Sequence, residues 1–402
     1  MQAVGIIVEY NPFHNGHLHH VKEAKLTTQS DVAVAVMSGQ FLQRGEPALV
    51  DKWHRTKMAL ASGVDVVIEL PYIFSTAQAS QFASGAVQIL DAMKCSFLAF
   101  GSEQGTIDPF INSYRLIENN RDNYNKIIKE SIQTGKSYPQ ALHVAYEQLK
   151  QLHPNSYIDL AQPNNILGFH YVEAMTQYQC AMKPATIQRI AAGYHDAIDP
   201  DNEIASATGI RQAIFNGQSL TDITPYLPKT SHEQLEQWQL LHGQFACWEN
   251  FWPLLKYAIL RHTPEQLKLF ADVSEGLENS LLKHAATSET YLEFMNALKS
   301  KRYTWTRLQR MLTHIYTGVT KEQLHVYSKP TYIRILGMTK TGQHYISDIK
   351  KSLSLPLISR VAVSKDPILA IDLRATKMYQ LGIAQFSNKK IDEDYKTPPI
   401  RI

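Results

Sequence analysis

The first hundred residues alternate between short apolar runs and longer segments with helical spacing, and this alternation constrains the fold most. The apolar runs are residues 3–9, 31–37, 65–70 and 96–100, and the helical segments are residues 17–28, 51–62 and 76–93. The runs are apolar on both faces, as expected of strands that helices cover on both sides. This order predicts a parallel, doubly wound α/β sheet with right-handed crossovers.

The later part of the chain divides into regions of different character. After a polar helical stretch at residues 109–152, the pattern predicts a helix over 164–177, a strand over 185–190 and a helix over 206–216. Residues 231–318 carry little strand signal, and a mixed pattern returns after residue 330. We therefore predict an α/β domain over residues 1–217, a helical domain over 218–328 and a small C-terminal α/β region over 329–402.

The composition excludes several classes of protein. The hydrophobic share of 44% and the charged share of 19% are those of an ordinary globular chain. No apolar run approaches the roughly 18 residues of a membrane span, and the N-terminus lacks the features of a secretory signal, so we expect a cytoplasmic protein. The three cysteines show no C-x-x-C spacing, which argues against a thiolate zinc site. The net charge of +3 is too small to indicate a nucleic-acid partner without a local cluster.

Four histidines follow the first predicted strand. The segment N-P-F-H-N-G-H, residues 11–17, lies in a strand-to-helix loop at the carboxyl edge of the sheet, where open α/β proteins bind ligands. Gly16 permits close approach of the backbone, and the next helix begins near His17 with free amides that attract phosphate. His14 and His17 can therefore contact one phosphoryl group and stabilise the charge that develops as pyrophosphate leaves.

Metal binding and structural packing are the alternatives for these histidines. His17 and His20 share a helix face, but H-E-x-x-H is absent and the nearby carboxylates are limited to Glu9 and Glu23, so we predict no metal site. For His19 and His20 we favour a solvated or partly packed helix face.

Two motifs together resemble a known superfamily. H-N-G-H at residues 14–17 resembles the HxGH signature of the HIGH-type nucleotidyltransferases, whose members transfer AMP or CMP from a nucleoside triphosphate. A-S-A-T-G-I-R at residues 205–211 resembles their later S-x-T-x-I-R motif, with Ser206 as a plausible helix N-cap. The resemblance implies a Rossmann-like catalytic domain in which Ser206, Thr208 and Arg211 hold the β- and γ-phosphates.

Longer segments are similar to the bacterial tRNA(Met) cytidine acetate ligases. They are residues 9–17, 37–48, 52–55, 101–103, 163–168 and 301–310. The resemblance implies that ATP activates acetate as acetyl-adenylate, and that the acetyl group passes to the exocyclic amine of the wobble cytidine in elongator tRNA(Met), giving N4-acetylcytidine. We expect Mg²⁺ to accompany ATP. The resemblance is weakest after about residue 350.

The resemblance also implies an ATP site, with His14 and His17 as the catalytic pair. The implied ATP-binding residues are Ile7, Val8, Glu9, Tyr10, Asn11, Pro12, Phe13, His14, Asn15, Gly16, His17, Gly101, Asn164, Asn165, Arg189, Ser206, Thr208 and Arg211. Either asparagine can be the ligand, because the other can serve as a helix N-cap. An ordinary turn is the alternative for Gly101, and a surface arginine is the alternative for Arg189.

The loop at residues 38–48 is long and polar enough to close over a small substrate, and Gly39 and Gly45 would let it move. Its residues predicted to seat acetate or the acceptor cytidine are Gln40, Gln43, Arg44 and Glu46. Lys52 and Arg55 lie one turn apart on the next helix and face either phosphate or solvent. Glu46 and Asp51 are the candidates for a base in the second half-reaction.

Residues 299–310 read K-S-K-R-Y-T-W-T-R-L-Q-R, with five basic residues, two aromatic residues and no acid. This mixture favours contact with phosphates and stacking on unpaired bases, as in the binding of a single-stranded tRNA loop. The alternative is a basic helix face with its aromatic rings in the core. The predicted tRNA-binding residues are Lys299, Lys301, Arg302, Tyr303, Trp305, Arg307 and Arg310.

Two other functions remain open at this point. A small-molecule adenylyl- or cytidylyltransferase of cofactor metabolism uses the same phosphate chemistry, but such enzymes are usually shorter and lack a basic helical region. A nucleotide-sensing RNA binder would bind tRNA without turnover. The sequence does not determine the acyl specificity beyond acetate or the oligomeric state.

Overall fold

The computed structural model describes residues 1–136, 138–152, 156–189, 204–390 and 394–402. The strands are β1 (Ala3–Val8), β2 (Val32–Ser38), β3 (Val66–Leu70), β4 (Phe97–Ser102), β5 (Lys183–Gln188), β6 (Ile333–Met338), β7 (Leu357–Ile358) and β8 (Ile400–Arg401). The helices up to residue 215 are α1 (Asn15–Thr28), α2 (Lys52–Ala61), α3 (Tyr72–Ser75), α4 (Ala79–Ala92), α5 (Asp108–Asn119), α6 (Arg121–Gln133), α7 (Tyr138–Leu152), α8 (Pro163–Gln177) and α9 (Ala207–Phe215). The later helices are α10 (Leu220–Ile223), α11 (Lys229–His242), α12 (Trp248–Leu260), α13 (Pro264–Leu267), α14 (Leu277–Thr287), α15 (Tyr291–Leu298), α16 (Trp305–Thr317), α17 (Lys321–Val326), α18 (Lys340–Ile349) and α19 (Pro367–Ile383).

The strands form one mixed sheet in the order β5-β4-β1-β2-β3-β6-β7, with β8 also paired to β6. The first five strands are parallel, which confirms the predicted doubly wound sheet. β2 is buried at every position because α1 and α4 pack against it. The chain moves from β1 towards β3 on one side and to β4 and β5 on the other, so the order reverses beside β1. The carboxyl ends of β1 and β4 therefore form the crevice where such folds bind ligands.

Most predicted elements of the α/β region are present with shifted ends. α1 begins at Asn15 rather than at residue 17, and α4 begins at Ala79 after the separate short helix α3. β5 begins and ends earlier than predicted, and residue 190 lies outside the described residues. Within the described residues, none of the helices combines the length and the apolar character that crossing a membrane requires.

The C-terminal region, expected to be an appendage, instead extends the main sheet. β6 pairs antiparallel with β3, with Val66 opposite Met338. This pairing supplies hydrogen-bond partners to an edge that would otherwise expose backbone groups. The predicted domain boundaries at residues 217 and 328 stay predictions, but one sheet runs through the first and the last of the three regions.

A group of four buried charges joins α2, β3, β6 and the C-terminal segment. Lys52 Nζ lies 2.7 Å from Glu69 Oε1 and 2.8 Å from Asp394 Oδ1. Arg334 contacts the same two carboxylates, at 2.7 Å from Glu69 and 2.8 Å from Asp394. Because two cations face two anions, no net charge is left in the core. The prediction that Lys52 faces phosphate or solvent is therefore wrong.

Asp372 lies beside this group and gives a prediction about pH. It accepts the Tyr72 N–H at 2.8 Å and the Tyr332 hydroxyl. Burial, followed by the charge of Glu69, raises the pKa of Asp372 to about 8, so the folded protein keeps a proton that the unfolded chain releases near pH 4. This contribution to stability is complete below about pH 4 and is lost as the pH rises towards about 8.

Asp372→Asn should remove this dependence. Between about pH 5.5 and 8 the free energy of unfolding of the variant should fall less steeply than that of the parent, by on the order of 1 kcal/mol per pH unit. Urea unfolding at both pH values measures the difference. Parallel pH profiles for the two proteins would show that Asp372 holds no such proton.

Candidate active site

The two histidines of the HxGH motif form a reciprocal cap at the N-terminus of α1, in which each ring accepts a backbone N–H of the turn. His14 is the N-cap residue, and its Nδ1 accepts the Gly16 N–H at 3.0 Å. His17 Nδ1 accepts the His14 N–H at 3.3 Å, and the ring centroids are 3.8 Å apart. Because Nδ1 accepts a hydrogen in both rings, each neutral imidazole carries its proton on Nε2. The pair therefore retains one N–H donor per ring for a ligand.

Both histidines are neutral at physiological pH. Burial, followed by the charges of Arg189 and Arg211, lowers the pKa of His14 to about 3. Burial, with contributions from His14, His20 and Arg189, holds the pKa of His17 well below its usual value. Two neutral donors next to two arginines form an environment that favours an anionic ligand.

The second motif meets the first at this point. Ser206 is the N-cap of α9, with its Oγ accepting the Gly209 N–H at 3.0 Å, as predicted. Arg211 Nη1 donates to the carbonyl oxygen of Asn11 at 2.8 Å, next to the HxGH loop. At Gly16 a Cβ atom would lie 2.8 Å from the His14 ring. A side chain at this position would therefore displace the ring, and glycine avoids the clash.

Further residues implied by the resemblance lie close together at the rim of the cleft, which is formed by the carboxyl ends of β4 and β5. Arg189 follows β5 directly, and its Nη1 lies 3.5 Å from Asn164 Oδ1. A Cβ atom at Gly101 would lie 3.4 Å from the Arg189 side chain and 3.9 Å from His20. Gly101, Asn164 and Arg189 thus lie at one edge of the cleft, at the carboxyl ends of β4 and β5.

His20 is partly packed, which is one of the two predicted environments, and it lies on the cleft side of α1. Its Nε2 is buried without a partner among the described residues. Burial, followed by the charge of Arg189, lowers the pKa of His20 to about 4. The spacing of three residues from His17, which places both on one helix face, was the signal for this position.

Asn164 and Asn165 both contact Glu103, but their surroundings differ. Its Oε1 accepts the Asn164 side chain at 2.6 Å, and its Oε2 accepts the Asn165 backbone N–H at 3.0 Å. Asn165 is buried and donates to the carbonyl oxygen of Asp159 at 3.1 Å, whereas Asn164 is partly exposed beside Arg189. Glu103 therefore satisfies the first turn of α8, a role that the sequence pattern did not indicate although G-S-E was among the matched segments.

The loop after β2 is held at both ends. Gln40 is 3% exposed, and its Oε1 accepts the Lys52 N–H at 3.1 Å. The Gln43 N–H donates to Glu9 Oε1 at 2.7 Å, and its side chain donates to the Ala77 carbonyl at 2.8 Å. Gln40 and Gln43 therefore contact the protein itself, and their predicted role in seating acetate or the acceptor cytidine stays a prediction.

The two glycines of this loop are closely packed, and the movement predicted for the loop stays a prediction. The Gly45 carbonyl accepts the Trp248 Nε1–H at 2.8 Å and the Thr313 hydroxyl at 2.7 Å. A Cβ atom at Gly45 would lie 2.5 Å from the backbone of Arg310. At Gly39 it would lie 2.6 Å from Glu69 Oε1. The tip of the loop is thus fixed beneath α16.

The two candidate bases have different surroundings. Asp51 is fully buried as the N-cap of α2, and its Oδ1 accepts the His54 N–H at 2.9 Å and lies 2.8 Å from His54 Nδ1. It cannot contact a substrate in this position. Glu46 has a side chain that is 31% exposed, and its Oε2 lies 3.3 Å from Arg211 Nη2. Only Glu46 of the pair lies beside the cleft.

Arg55 is a structural residue, so the prediction that it faces phosphate or solvent is wrong. Its guanidinium is fully buried and donates to backbone carbonyls at the ends of two strands and in the following loop. These belong to Glu9 at 2.7 Å, Ser38 at 3.0 Å, Val50 at 3.2 Å and Gly39. Arg55 therefore fixes the backbone that leads into the HxGH loop.

The basic segment, residues 299–310, is only partly free of contacts with the rest of the protein. Tyr303 is 7% exposed, its hydroxyl donates to Glu275 at 2.9 Å, and the Arg307 guanidinium lies 4.8 Å from its ring centroid. The predicted stacking of Tyr303 on a base is therefore wrong for this conformation. Arg302 pairs with Glu275 at 2.6 Å yet keeps 65% of its side chain exposed, and Arg310 lies 4.0 Å from Asp272. Lys299 and Lys301 are exposed, and Trp305 is half-buried.

Across the described ranges, no group of three or more histidine, cysteine, aspartate or glutamate side chains is arranged to hold a metal ion. The cleft itself is lined mainly by nitrogen donors, which suit phosphate oxygens better than a divalent cation.

Comparisons with known proteins extend over the whole chain. The model of the family described as HIGH Nucleotidyl Transferase matches residues 1–394. A tRNA(Met) cytidine acetate ligase of Lysinibacillus sphaericus is 57% identical over 402 residues, covering 100% of both chains. The enzyme of the same name from Bacillus subtilis is 47% identical over 407 residues, covering 100% of this chain and 97% of the relative. The crystal structure of Thermotoga maritima TmcAL bound with alpha-thio ATP has a TM-score of 0.90 at 30% identity and covers 100% of this chain and 99% of that one.

Proposed function

Because this chain belongs to the HIGH nucleotidyl transferase family and, within it, to the tRNA(Met) cytidine acetate ligases, we propose that it activates acetate with ATP and acetylates the wobble cytidine of elongator tRNA(Met). The predicted family is confirmed. The observation that carries the proposal is the neutral His14–His17 pair at the start of α1, with the charges of Arg189 and Arg211 close enough to lower the pKa of His14. We propose a cytoplasmic location, because the substrates of the proposed reaction, tRNA and ATP, are present there.

In the first half-reaction an acetate oxygen attacks the α-phosphorus of ATP and pyrophosphate leaves. The enzyme must bring two anions together, so preorganised donors and cations supply most of the catalysis. The Nε2–H groups of His14 and His17 and the positive end of the α1 helix dipole stabilise the phosphoryl oxygens. Arg189 and Arg211 neutralise the remaining charge, and Thr208, in the first turn of α9, is proposed to contribute its hydroxyl.

Mg²⁺ would enter with the nucleotide rather than bind to a protein cage. It prefers oxygen ligands, whereas the side chains proposed to contact the phosphates, those of His14, His17, Arg189 and Arg211, offer nitrogen atoms. Bound to the triphosphate, the ion supplies charge neutralisation for the leaving pyrophosphate. The residues of this chain would then orient the complex and supply the donors for its phosphoryl oxygens.

Asn164, rather than Asn165, is proposed to contact ATP, because its side chain lies beside Arg189 at the rim. Asn164→Ala should raise the KM for ATP about tenfold, the cost of one lost hydrogen bond to a ligand. Asn165→Ala should instead lower the free energy of unfolding by about 1–2 kcal/mol, since it removes a buried bond to Asp159. The kinetics of acetate-dependent exchange of labelled pyrophosphate into ATP, and urea unfolding, measured for both variants, distinguish an ATP-binding role from a structural role. The reverse pattern would assign the contact to Asn165.

The exposed cations at the start of the basic segment are proposed to bind tRNA phosphates. Replacing Lys299, Lys301 and Arg302 with alanine should weaken tRNA binding and reduce the dependence of log Kd on log salt by about 0.7 for each phosphate that is no longer neutralised. Filter binding at several salt concentrations measures this slope. Lys229→Ala, an exposed lysine of α11 with 91% of its side chain accessible, is the matched control. An unchanged slope in the triple variant would show that tRNA binds at a different surface of the protein.

Exchange of labelled pyrophosphate into ATP tests the proposed adenylation without tRNA. We expect exchange that requires acetate and stops when acetate is left out. Transfer of a nucleotide to a small phosphate ester, with no dependence on acetate, would instead indicate a nucleotidyltransferase of small molecules.

A further inference from the structure

We propose that Glu46 has two successive partners, Arg211 before ATP binds and the cytidine amine during acetyl transfer, where Glu46 acts as the general base. The proposal rests on the proposed function and assigns the proton acceptor that this function requires. It makes Glu46 a catalytic residue for the second half-reaction alone.

Both terminal nitrogens of Arg211 contact oxygen atoms of the protein. One nitrogen donates to the Asn11 carbonyl at 2.8 Å, and the other lies 3.3 Å from Glu46. A triphosphate beside His14 carries more charge than one carboxylate and competes for the same guanidinium. Binding of ATP therefore releases the Glu46 carboxylate, which is already 31% exposed.

The backbone next to Glu46 does not have to move in this exchange. The preceding residue, Gly45, is held through its carbonyl by Trp248 and Thr313. Thr313 lies on α16, and the basic segment ends within the first turns of the same helix. Glu46 therefore lies between the arginine of the nucleotide side and the helix of the proposed tRNA side, and only its side chain changes partner.

The other carboxylates around the cleft and the two HxGH histidines are poorly suited to accept the proton. Asp51 is fully buried and bound to His54. Glu9 is engaged by the Gln43 amide, and Glu103 holds the first turn of α8. The Nδ1 atoms of His14 and His17 already accept backbone N–H groups.

The step balances without a further reactant. The cytidine N4 amine forms a bond to the acetyl carbonyl carbon of acetyl-adenylate, and the bond from this carbon to the AMP phosphate oxygen breaks. AMP leaves with the electron pair, and the proton of N4 passes to Glu46 and then to water. The products are N4-acetylcytidine, AMP and a proton.

Glu46→Gln and Glu46→Asp test the proposal in the two half-reactions separately. For Glu46→Gln we expect acetate-dependent pyrophosphate exchange within about threefold of the parent, with an equal or lower KM for ATP because the competitor of Arg211 has lost its charge. Transfer from preformed acetyl-adenylate to tRNA in a single turnover should fall by about 100-fold. Glu46→Asp keeps a carboxylate, so its transfer rate should be at least tenfold higher than that of Glu46→Gln.

Glu233→Gln, an exposed glutamate of α11, is the control and should leave both half-reactions unchanged. Undiminished transfer in Glu46→Gln would overturn the proposal. Equal losses in exchange and transfer for both Glu46 variants would also overturn it, because they would indicate a structural role. If the parent protein shows no acetate-dependent exchange, the proposed function itself fails, and that result is distinct from either outcome for the variants.

Discussion

Alanine at His14 or His17 should lower the rate of acetate-dependent pyrophosphate exchange by about two to four orders of magnitude. Each substitution removes one Nε2–H donor and also breaks the reciprocal cap, because each ring accepts a backbone N–H of the turn. The loss should appear in kcat more than in the KM for ATP, since the donors stabilise charge that develops as pyrophosphate leaves. Exchange kinetics at saturating acetate measure both parameters.

His19→Ala on the same helix is the matched control, and it should leave exchange close to that of the parent. Binding of tRNA should persist in all three variants, because the basic segment lies in the helical region. A His17→Ala protein that retained more than about a tenth of the exchange rate would contradict the assigned role of the pair.

Lys52→Met should lower the free energy of unfolding by about 3–5 kcal/mol. The substitution leaves Glu69 and Asp394 with Arg334 as their only cation in the group of four buried charges, so one negative charge is uncompensated in the core. A methionine fills most of the space of the lysine stem, which makes charge the main change. Urea unfolding at neutral pH measures the loss.

Lys22→Met, at an exposed position of α1, should change stability by no more than about 0.5 kcal/mol. Combining Lys52→Met with Glu69→Gln restores one cation to one anion, and the double variant should be more stable than Lys52→Met alone. A single variant that lost less than about 1 kcal/mol, or a double variant with strictly additive losses, would show that the four charges do not act as one group.

The central fold could be predicted because its signals are local. Four of the strands, β1 to β4, are short apolar runs between helical segments, and strands covered on both faces must have that character. The pairing of β6 with β3 could not be predicted in this way. The partners are separated by more than half of the chain, and nothing in either run specifies an antiparallel neighbour.

Buried charges were the main source of error. Lys52 and Arg55 have the spacing of an exposed helix face, and lysine and arginine are almost never fully buried unless they are paired. The partners that allow this burial are distant in sequence, at Glu69, Asp394 and several backbone carbonyls. The prediction for Tyr303 was wrong for the same reason, because Glu275 lies outside its segment.

The candidate site was predictable where a motif is contiguous. Ser206 caps α9 as predicted, and the HxGH turn leads into α1 as predicted, although the helix begins two residues earlier with His14 as its N-cap. Glu103 was not recognised because its role is to cap a helix about sixty residues further along the chain, and only the fold brings the two together. The partner of Arg211, Glu46, likewise became apparent only in the structure.

Mass spectrometry of elongator tRNA(Met), after incubation with this protein, ATP and isotopically labelled acetate, tests the central claim most directly. We predict labelled N4-acetylcytidine at the wobble position, formed only when protein, ATP and acetate are all present, and lost with His17→Ala. Unmodified cytidine at that position after complete incubation with active protein would contradict the proposed function.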